Sequence, residues 1–229
     1  MRKILISISA LISISSCGPI NTGNDKDIDP YKATNKEIFK LNQSLDKHII
    51  KPIAQVYDYL IPDEMETRIS MFFSNLGEIS VVSNDLLQAK FYAAANDTTR
   101  FLINSSFGMF GLFDMATENG FPKHHQNFAI TLNDWGFKNS PYIVMPIFGS
   151  STMIDSLSIP VESLVLSPMA YVKTNSLITP LYVIDKINFR ATIMPYDNLV
   201  ADSFDPYIMA RNVFLQKRQQ RISENEKLD

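Results

Sequence analysis

One cysteine in 229 residues is the tightest constraint on this chain: no intrachain disulfide can staple the fold, so packing must hold it together. The position of Cys17 is informative as well. Arg2 and Lys3 make a positive start, residues 4–14 carry no charge, and Ser15 and Ser16 put small residues just before the thiol. Positive, then apolar, then small is the layout of a secretory signal. The apolar run is about 11 residues, well short of the ~20 that cross a bilayer. Residues 1–16 therefore read as a signal peptide that is removed.

Ile14-Ser15-Ser16-Cys17 resembles the bacterial lipobox, with Ile where Leu is commoner. That resemblance implies a Cys17 thiol joined to diacylglycerol, which becomes the new N-terminus. Each buried CH₂ is worth ~0.8 kcal/mol, and stable anchoring takes more than one acyl chain. Gly18 in place of Asp follows the cysteine, which by enterobacterial sorting rules favours the outer membrane. The alternative, a soluble secreted protein, requires the lone cysteine to fall at the cleavage point by chance. Residues 17–28 are polar, with Gly18, Pro19 and Gly23, and read as a tether. Such a coil spans roughly 15–20 Å, which keeps the folded body near the bilayer.

Beyond the tether the periodicity is helical. Thr34-Asn35-Lys36-Glu37 has the form of a capping box, and Ile38, Leu41, Leu45 and Ile49 make an apolar stripe until Pro52 ends or restarts the helix. Pro62 opens a second helix, with Asp63 and Glu64 in the first turn where the dipole favours acids. Met65, Ile69, Phe72, Phe73 and Leu76 give it an apolar face. Phe91, Ala94, Ala95, Thr98, Phe101 and Leu102 read likewise, and Gly108 and Gly111 break the pattern. Residues 120–149 are rich in turn formers. Short helical pieces follow, with Ser150 and Ser151 as N-caps and Pro160, Pro168 and Pro180 as interruptions. Asp205-Pro206 starts a closing helix. It turns Tyr207, Ala210 and Phe214 inward, ends on Lys217, Arg218 and Arg221, and leaves residues 222–229 as a polar tail. No useful length alternates with period two, so the body, residues 29–221, is predicted to be mainly α.

Reactive chemistry is scarce. A net charge of −3 without a long basic run argues against nucleic acid as a partner. His124 and His125 are adjacent, so they point apart, and no Cys or acid follows at ligand spacing; with His48 they read as surface or loop residues. No G-x-S-x-G elbow, Walker loop or dinucleotide fingerprint occurs. Glu64/Glu66 and Asp202/Asp205 stand at helix starts, where carboxylates are favoured without catalytic duty. The expectation is a non-enzyme with no catalytic residue, no cofactor and no metal. Residues 101–113 and 139–154 stand out for lacking charge before Asp155, yet Gly, Pro, Asn and Ser interrupt them too often for a span. On composition alone they read as core of a soluble domain, with surface lying in lipid as the alternative.

Five runs together resemble the MlaA/VacJ family of outer-membrane lipoproteins. They are DPYKATNKEIFKLNQSLD (29–46) with KPIA just after it; 68–78 ending FSNLGE, followed by NDLLQ (84–88); RFLINSSFGMFGLFDMA (100–116); 128–151, through Trp135-Gly136 and Ser140-Pro141-Tyr142 to PIFGSS; and DPYIMARNVFLQKR (205–218). The likeness covers nearly the whole chain after the signal. Ala129 and Asn133 stand where that family usually carries glycine, and Ile154-Asp155 where Arg-Asp is common.

The resemblance implies a compact ring-like bundle of short and medium helices lying in one membrane leaflet around an amphipathic central channel. It implies removal of mislocalised phospholipid from the outer leaflet and delivery to a soluble periplasmic lipid-carrier protein (MlaC-like), beside a trimeric outer-membrane porin. The protein would face the periplasm, with Cys17 as lipid anchor. The uncharged stretches then become lipid-facing surface or channel wall. The candidates are Asn104, Ser105, Phe107, Gly108, Phe110, Gly111, Phe113, Trp135, Pro141, Tyr142, Pro146 and Phe148. Two other classes compete: a hydrolase, which needs a triad or carboxylate pair, and a structural or surface-associated lipoprotein without a transport channel.

Overall fold

Prolines and acids set helix starts much as the sequence predicts. A computed structural model describes residues 28–171 and 175–228; Cys17, the signal and most of the tether lie outside the described residues. Helix α1, Lys32–Leu45, runs through a π turn, Asp46–Ile50, into α2, Lys51–Leu60. At that turn the Lys51 N–H reaches back to Asp46 O. The widened turn comes just before Pro52, which has no N–H and whose ring needs room. Pro62 caps α3, Asp63–Leu87, with Asp63, Glu64 and Glu66 in its first turn. Helix α4, Phe91–Ser106, packs along α3. Two short helices follow, α5 (Met115–Glu118) capped by Asp114 and α6 (Phe128–Asp134) capped by Asn127.

A hairpin comes next, β1 (Tyr142–Met145) and β2 (Gly149–Thr152), antiparallel with Tyr142 opposite Thr152 and Met145 opposite Gly149. Helix α7, Met153–Val161, leads into a π turn, Glu162–Leu166. The chain closes with α8 (Asn175–Ile193), α9 (Asp197–Ala201) and α10 (Pro206–Asn225). Asp205 caps α10 by accepting the N–H groups of Tyr207 and Ile208 at 3.0 and 3.1 Å, as its place before Pro206 predicts.

The fold is mainly α, as expected, with several local corrections. Helix α1 starts at Lys32, so Thr34–Glu37 is no capping box; Asn35 is buried and serves the hairpin instead. Leu41 and Ile49 of the predicted stripe are exposed, as are Phe91 and Leu102 of α4. Period-two patterning misses the hairpin because each strand is four residues long. Its partners come from α1: Asn35 donates to Tyr142 O and accepts from Val144 N–H, and Asn42 donates to Met145 O. Thr152, not Ser150 or Ser151, caps α7. Helix α8 runs unbroken through Pro180. Helix α10 continues past Arg221 to Asn225 and buries Ile222 and Asn225, because Asn225 accepts from Lys90 Nζ at 2.5 Å.

The apolar core is small. Tyr142, Val144 and Tyr207 form its buried centre, with Ile38, Phe39, Ile208, Phe214 and Leu215 against it. Asp29 ties the start of the body to its end, accepting from Asn35 at 2.9 Å, Tyr207 at 2.5 Å and Arg211 at 3.4 Å. Arg190 on α8 bridges Asp46 (2.7 and 2.8 Å) and Asp197 (2.9 Å). No helix among the described residues is long and apolar enough to cross a membrane.

Candidate functional site

Polar and charged side chains dominate the deepest burial in this protein, beside its small apolar core. Among the described residues, the largest fully buried side chains are Arg100, Glu78, Asn35, Asn84, Thr131, Thr152, Asp85 and Asp97, with Tyr142 the one apolar-bodied member. Charged residues are almost never fully buried in soluble proteins unless paired. Meanwhile large apolar side chains cover the outside, among them Tyr92, Phe107, Phe110, Ile147, Phe148 and Leu164. Both faces obey helical spacing. Glu78 and Asp85 stand seven apart on α3, and Asp97, Arg100 and Asn104 stand at i, i+3 and i+7 on α4, so each helix turns a polar stripe to its neighbour.

That polar stripe is wired together. Arg100 donates to both carboxylate oxygens of Asp114 at 3.2 Å, to Thr117 Oγ1 at 3.0 Å and to Phe121 O. Its Nε lies 3.5 Å from Glu78 Oε1. Asn104 donates to Asp114 Oδ1 at 3.0 Å and accepts from the Ala116 N–H at 2.8 Å. Burial pushes Asp114 up, but hydrogen bonds from Thr117 and Asn104, with the Arg100 charge, outweigh it and hold the carboxyl at about 2. Burial raises Glu78 against the pull of Lys123 and Arg100. Burial and the negative charges of Glu78 and Asp85 push Asp97 up to about 7, although His124 opposes them. Glu78, Arg100, Asn104, Gly111, Asp114 and Lys123 line a small open concavity of about 60 Å³.

The expected lipid-contact residues divide sharply. Phe107, Phe110 and Phe148 are 77%, 78% and 71% exposed. Phe113, Trp135 and Pro146 are also exposed, with Arg68 over the Phe113 ring at 4.2 Å. The tips of the two uncharged stretches are thus surface, not core, which corrects the reading from composition. Tyr142 is fully buried, its hydroxyl 2.8 Å from Ser150 Oγ; it belongs to the core and faces neither lipid nor a channel. Gly108 and Gly111 are buried for backbone reasons. A Cβ on Gly108 would lie 2.3 Å from Phe113 O, and one on Gly111, at φ +90°, 2.4 Å from Asn75 Cβ. Asn104 is buried, half-buried Ser105 accepts from Asn75 Nδ2 at 3.0 Å, and half-buried Pro141 accepts from the Met153 N–H at 3.0 Å.

His124 is the clearest residue the sequence misplaced. His48 is exposed and bonded to Ser44 O at 2.8 Å, and His125 is exposed. His124 instead sits against Asp85 and Asp97. Burial pulls its pKa down, but the hydrogen bond to Asp85 and the charge of Asp97 leave it raised overall. Its partners lie on two distant helices, so ligand spacing within one segment could not reveal them. The signal available was the polar periodicity of α3 and α4.

Residues 27–221 match the family profile described as MlaA lipoprotein. An uncharacterised protein of Rickettsia felis is 32% identical over 199 residues, covering 86% of this chain and 79% of the relative. The intermembrane phospholipid transport system lipoprotein MlaA of Escherichia coli K12 is 30% identical over 228 residues, covering 94% and 87%. A chain solved in work on the structural basis for maintenance of bacterial outer membrane lipid asymmetry superposes with a TM-score of 0.72 at 30% identity. It covers 85% of this chain and 98% of that one.

Proposed function

The chain belongs to the MlaA lipoprotein family, and from that membership we propose that it is the outer-membrane lipoprotein of a phospholipid transport system. It removes phospholipid misplaced in the outer leaflet and passes it to a soluble periplasmic lipid carrier. Acyl chains on Cys17 anchor it, a trimeric porin holds it in place, and its body lies in one leaflet. No bond is made or broken, and an energy source elsewhere sets the direction of flow.

The observation that carries this reading is the inverted burial. A body with apolar residues outward and Glu78, Asp97, Arg100 and Asn104 inward is built for an apolar surround. Each large apolar side chain moved from water into lipid gains ~1.5–3 kcal/mol. A charged headgroup crossing hydrocarbon unaided faces at least about 2.5–3.5 kcal/mol per charge, and a polar wall lowers that barrier. Phe107, Phe110, Phe113, Trp135, Pro146 and Phe148 are the residues assigned to lipid contact, with Asn104 and Ser105 on the polar side.

Complementation of an Escherichia coli strain lacking its own relative tests the proposal. The chain is expected to restore resistance to detergent with chelator and to lower outer-leaflet phospholipid labelling, and Cys17→Ser is expected to do neither. If Cys17→Ser rescues the strain as well as the wild type, the anchor has no part in the activity; if the wild-type chain reaches the outer membrane and rescues nothing, the protein is a passive structural lipoprotein instead.

A further inference from the structure

Three donor groups that lipid transfer does not call upon converge beside the polar concavity. Asp85 comes from α3, Asp97 from α4 and His124 from the segment before α6. Their candidate ligand atoms all lie within 4.8 Å of one another. His124 Nε2 is 3.0 Å from Asp97 Oδ2 and 3.4 Å from Asp85 Oδ1. Both carboxylates are wholly buried, and neither Asp85 Oδ2 nor Asp97 Oδ2 receives a hydrogen bond.

We propose that Asp85, Asp97 and His124 form a divalent-metal site of the zinc class, which staples α3, α4 and the 121–127 segment together. The first argument is the orphaned oxygens. A buried carboxylate oxygen with no donor is costly, and one imidazole cannot satisfy two such groups. Arg100 is already committed to Asp114, Thr117 and Phe121. A doubly charged ion satisfies both carboxylates at once.

The second argument is geometric. Zinc takes His nitrogen and Asp oxygen at about 2.0–2.2 Å in a tetrahedron, which sets ligand-to-ligand separations of about 3.3–3.6 Å. The separations here, from 3.0 Å up to the 4.8 Å limit, bracket that range, so the three groups stand on the scale of a single ion's shell. Asn96 Nδ2 donates to Asp97 Oδ1 at 2.9 Å, which fixes the carboxylate and leaves Oδ2 turned to the cluster, the usual arrangement behind a metal ligand.

The donor set chooses among cations. Calcium and magnesium favour all-oxygen shells, whereas imidazole suits zinc and its neighbours. The His124 side chain is 14% exposed while both aspartates are wholly buried, so the cluster meets solvent on its histidine side. A chain with one cysteine has no disulfide available for this task. A metal closing residues 85, 97 and 124 would hold the wall of the concavity lined by Glu78, Arg100 and Lys123.

The test uses the full lipidated chain in detergent, stripped with chelator and titrated with zinc against a competing chromogenic chelator. One zinc per chain is expected, with a melting temperature that rises with zinc, and cobalt(II) substitution should give the visible bands of a tetrahedral site. The near-isosteric Asp97→Asn and His124→Asn are each expected to weaken zinc by more than about tenfold with helical circular dichroism retained. His48→Ala, on the exposed face of the first helix segment, is expected to change nothing. Less than stoichiometric zinc at saturation, unaltered affinity in both variants, or calcium displacing zinc at equal concentration would each overturn the assignment. If the variants do not fold, the wild-type cobalt spectrum decides, because a purely octahedral spectrum excludes the site.

Discussion

Replacing Gly111 by Ala asks whether the 107–113 loop is fixed by close backbone approach to α3. Gly111 has φ +90°, and an added Cβ would lie 2.4 Å from Asn75 Cβ and 2.7 Å from its Cγ and Nδ2. Asn75 cannot step aside freely, because it is buried and its Nδ2 donates to Ser105 Oγ at 3.0 Å. Two costs therefore add. A left-handed backbone with a Cβ costs roughly 1–2 kcal/mol, and overpacking costs about 1–3 kcal/mol. Gly136→Ala is the matched control: φ is +102° there, and nothing lies within 4 Å of the added Cβ, so only the first cost applies. The expected difference is about 2 kcal/mol, or about 4–8 °C in Tm for a domain of this size. Thermal unfolding of the two detergent-solubilised variants by circular dichroism measures it. The same pair should separate in complementation, with Gly111→Ala impaired and Gly136→Ala near wild type. Equal melting of the two variants would refute the close-approach argument, whatever the absolute loss.

Two further outcomes follow from the exterior and from the charged interior. In an unlipidated Cys17→Ser chain, replacing Phe107, Phe110 and Phe148 together with Ser should cut liposome partitioning at least about a hundredfold, since half of ~2 kcal/mol per ring already sums to about 3 kcal/mol; flotation that stays unchanged would remove these rings from the membrane contact. Asp114, held at about 2 against an ordinary 3.8, contributes stability that is complete above pH 4 and lost as pH falls toward 2. With solvent screening that is about 1–2 kcal/mol, so Asp114→Asn should destabilise at neutral pH and flatten the acid limb of the stability curve, and a variant that keeps the full acid limb would contradict the assignment.

Element type was legible in the sequence and orientation was not. Pro62 and Asp205-Pro206 mark true helix starts because their signals act on the local backbone, whatever surrounds it. Gly108 and Gly111 likewise end α4 where predicted. Periodicity states that a helix has two faces, but not which one meets protein. Leu41, Phe91 and Leu102 carry the apolar signal and lie exposed, while Glu78, Asp97 and Arg100 carry the polar signal and lie buried. The usual inference buries the apolar face, and on α1 and α4 the exposed residues include apolar ones while polar ones are buried. The hairpin and the His124 cluster escaped for a different reason. Asn42 reaches Met145 across 103 positions and His124 reaches Asp85 across 39, so each is a property of tertiary contact that no local window contains.

Strain and exposure coincide at two loop tips, and their backbone bonding explains how they hold their shape. Met109 and Phe110 have φ +51° and +60°, and Ile147 has φ +69°, at roughly 1–2 kcal/mol per residue. A β-branched residue at positive φ is a genuine outlier. A soluble protein gains by placing Gly or Asn at such tips and hiding the apolar side chains. Here the tips keep Phe107, Met109, Phe110, Ile147 and Phe148 outward, while the backbone behind them is closed on itself. Phe110 N–H bonds Ser105 O at 3.1 Å, Gly111 N–H bonds Asn104 O at 2.8 Å, and Phe113 N–H bonds Gly108 O at 3.0 Å. Across the gap, Phe148 N–H bonds Pro146 O and Ile147 N–H bonds Asn42 Oδ1, both at 2.8 Å. Irregular backbone survives in an apolar surround only when its polar groups are satisfied within the protein. A turn that spends conformational energy to seal its N–H groups inward and turn its rings outward gains nothing from that in water, and gains stability and reach where hydrocarbon begins.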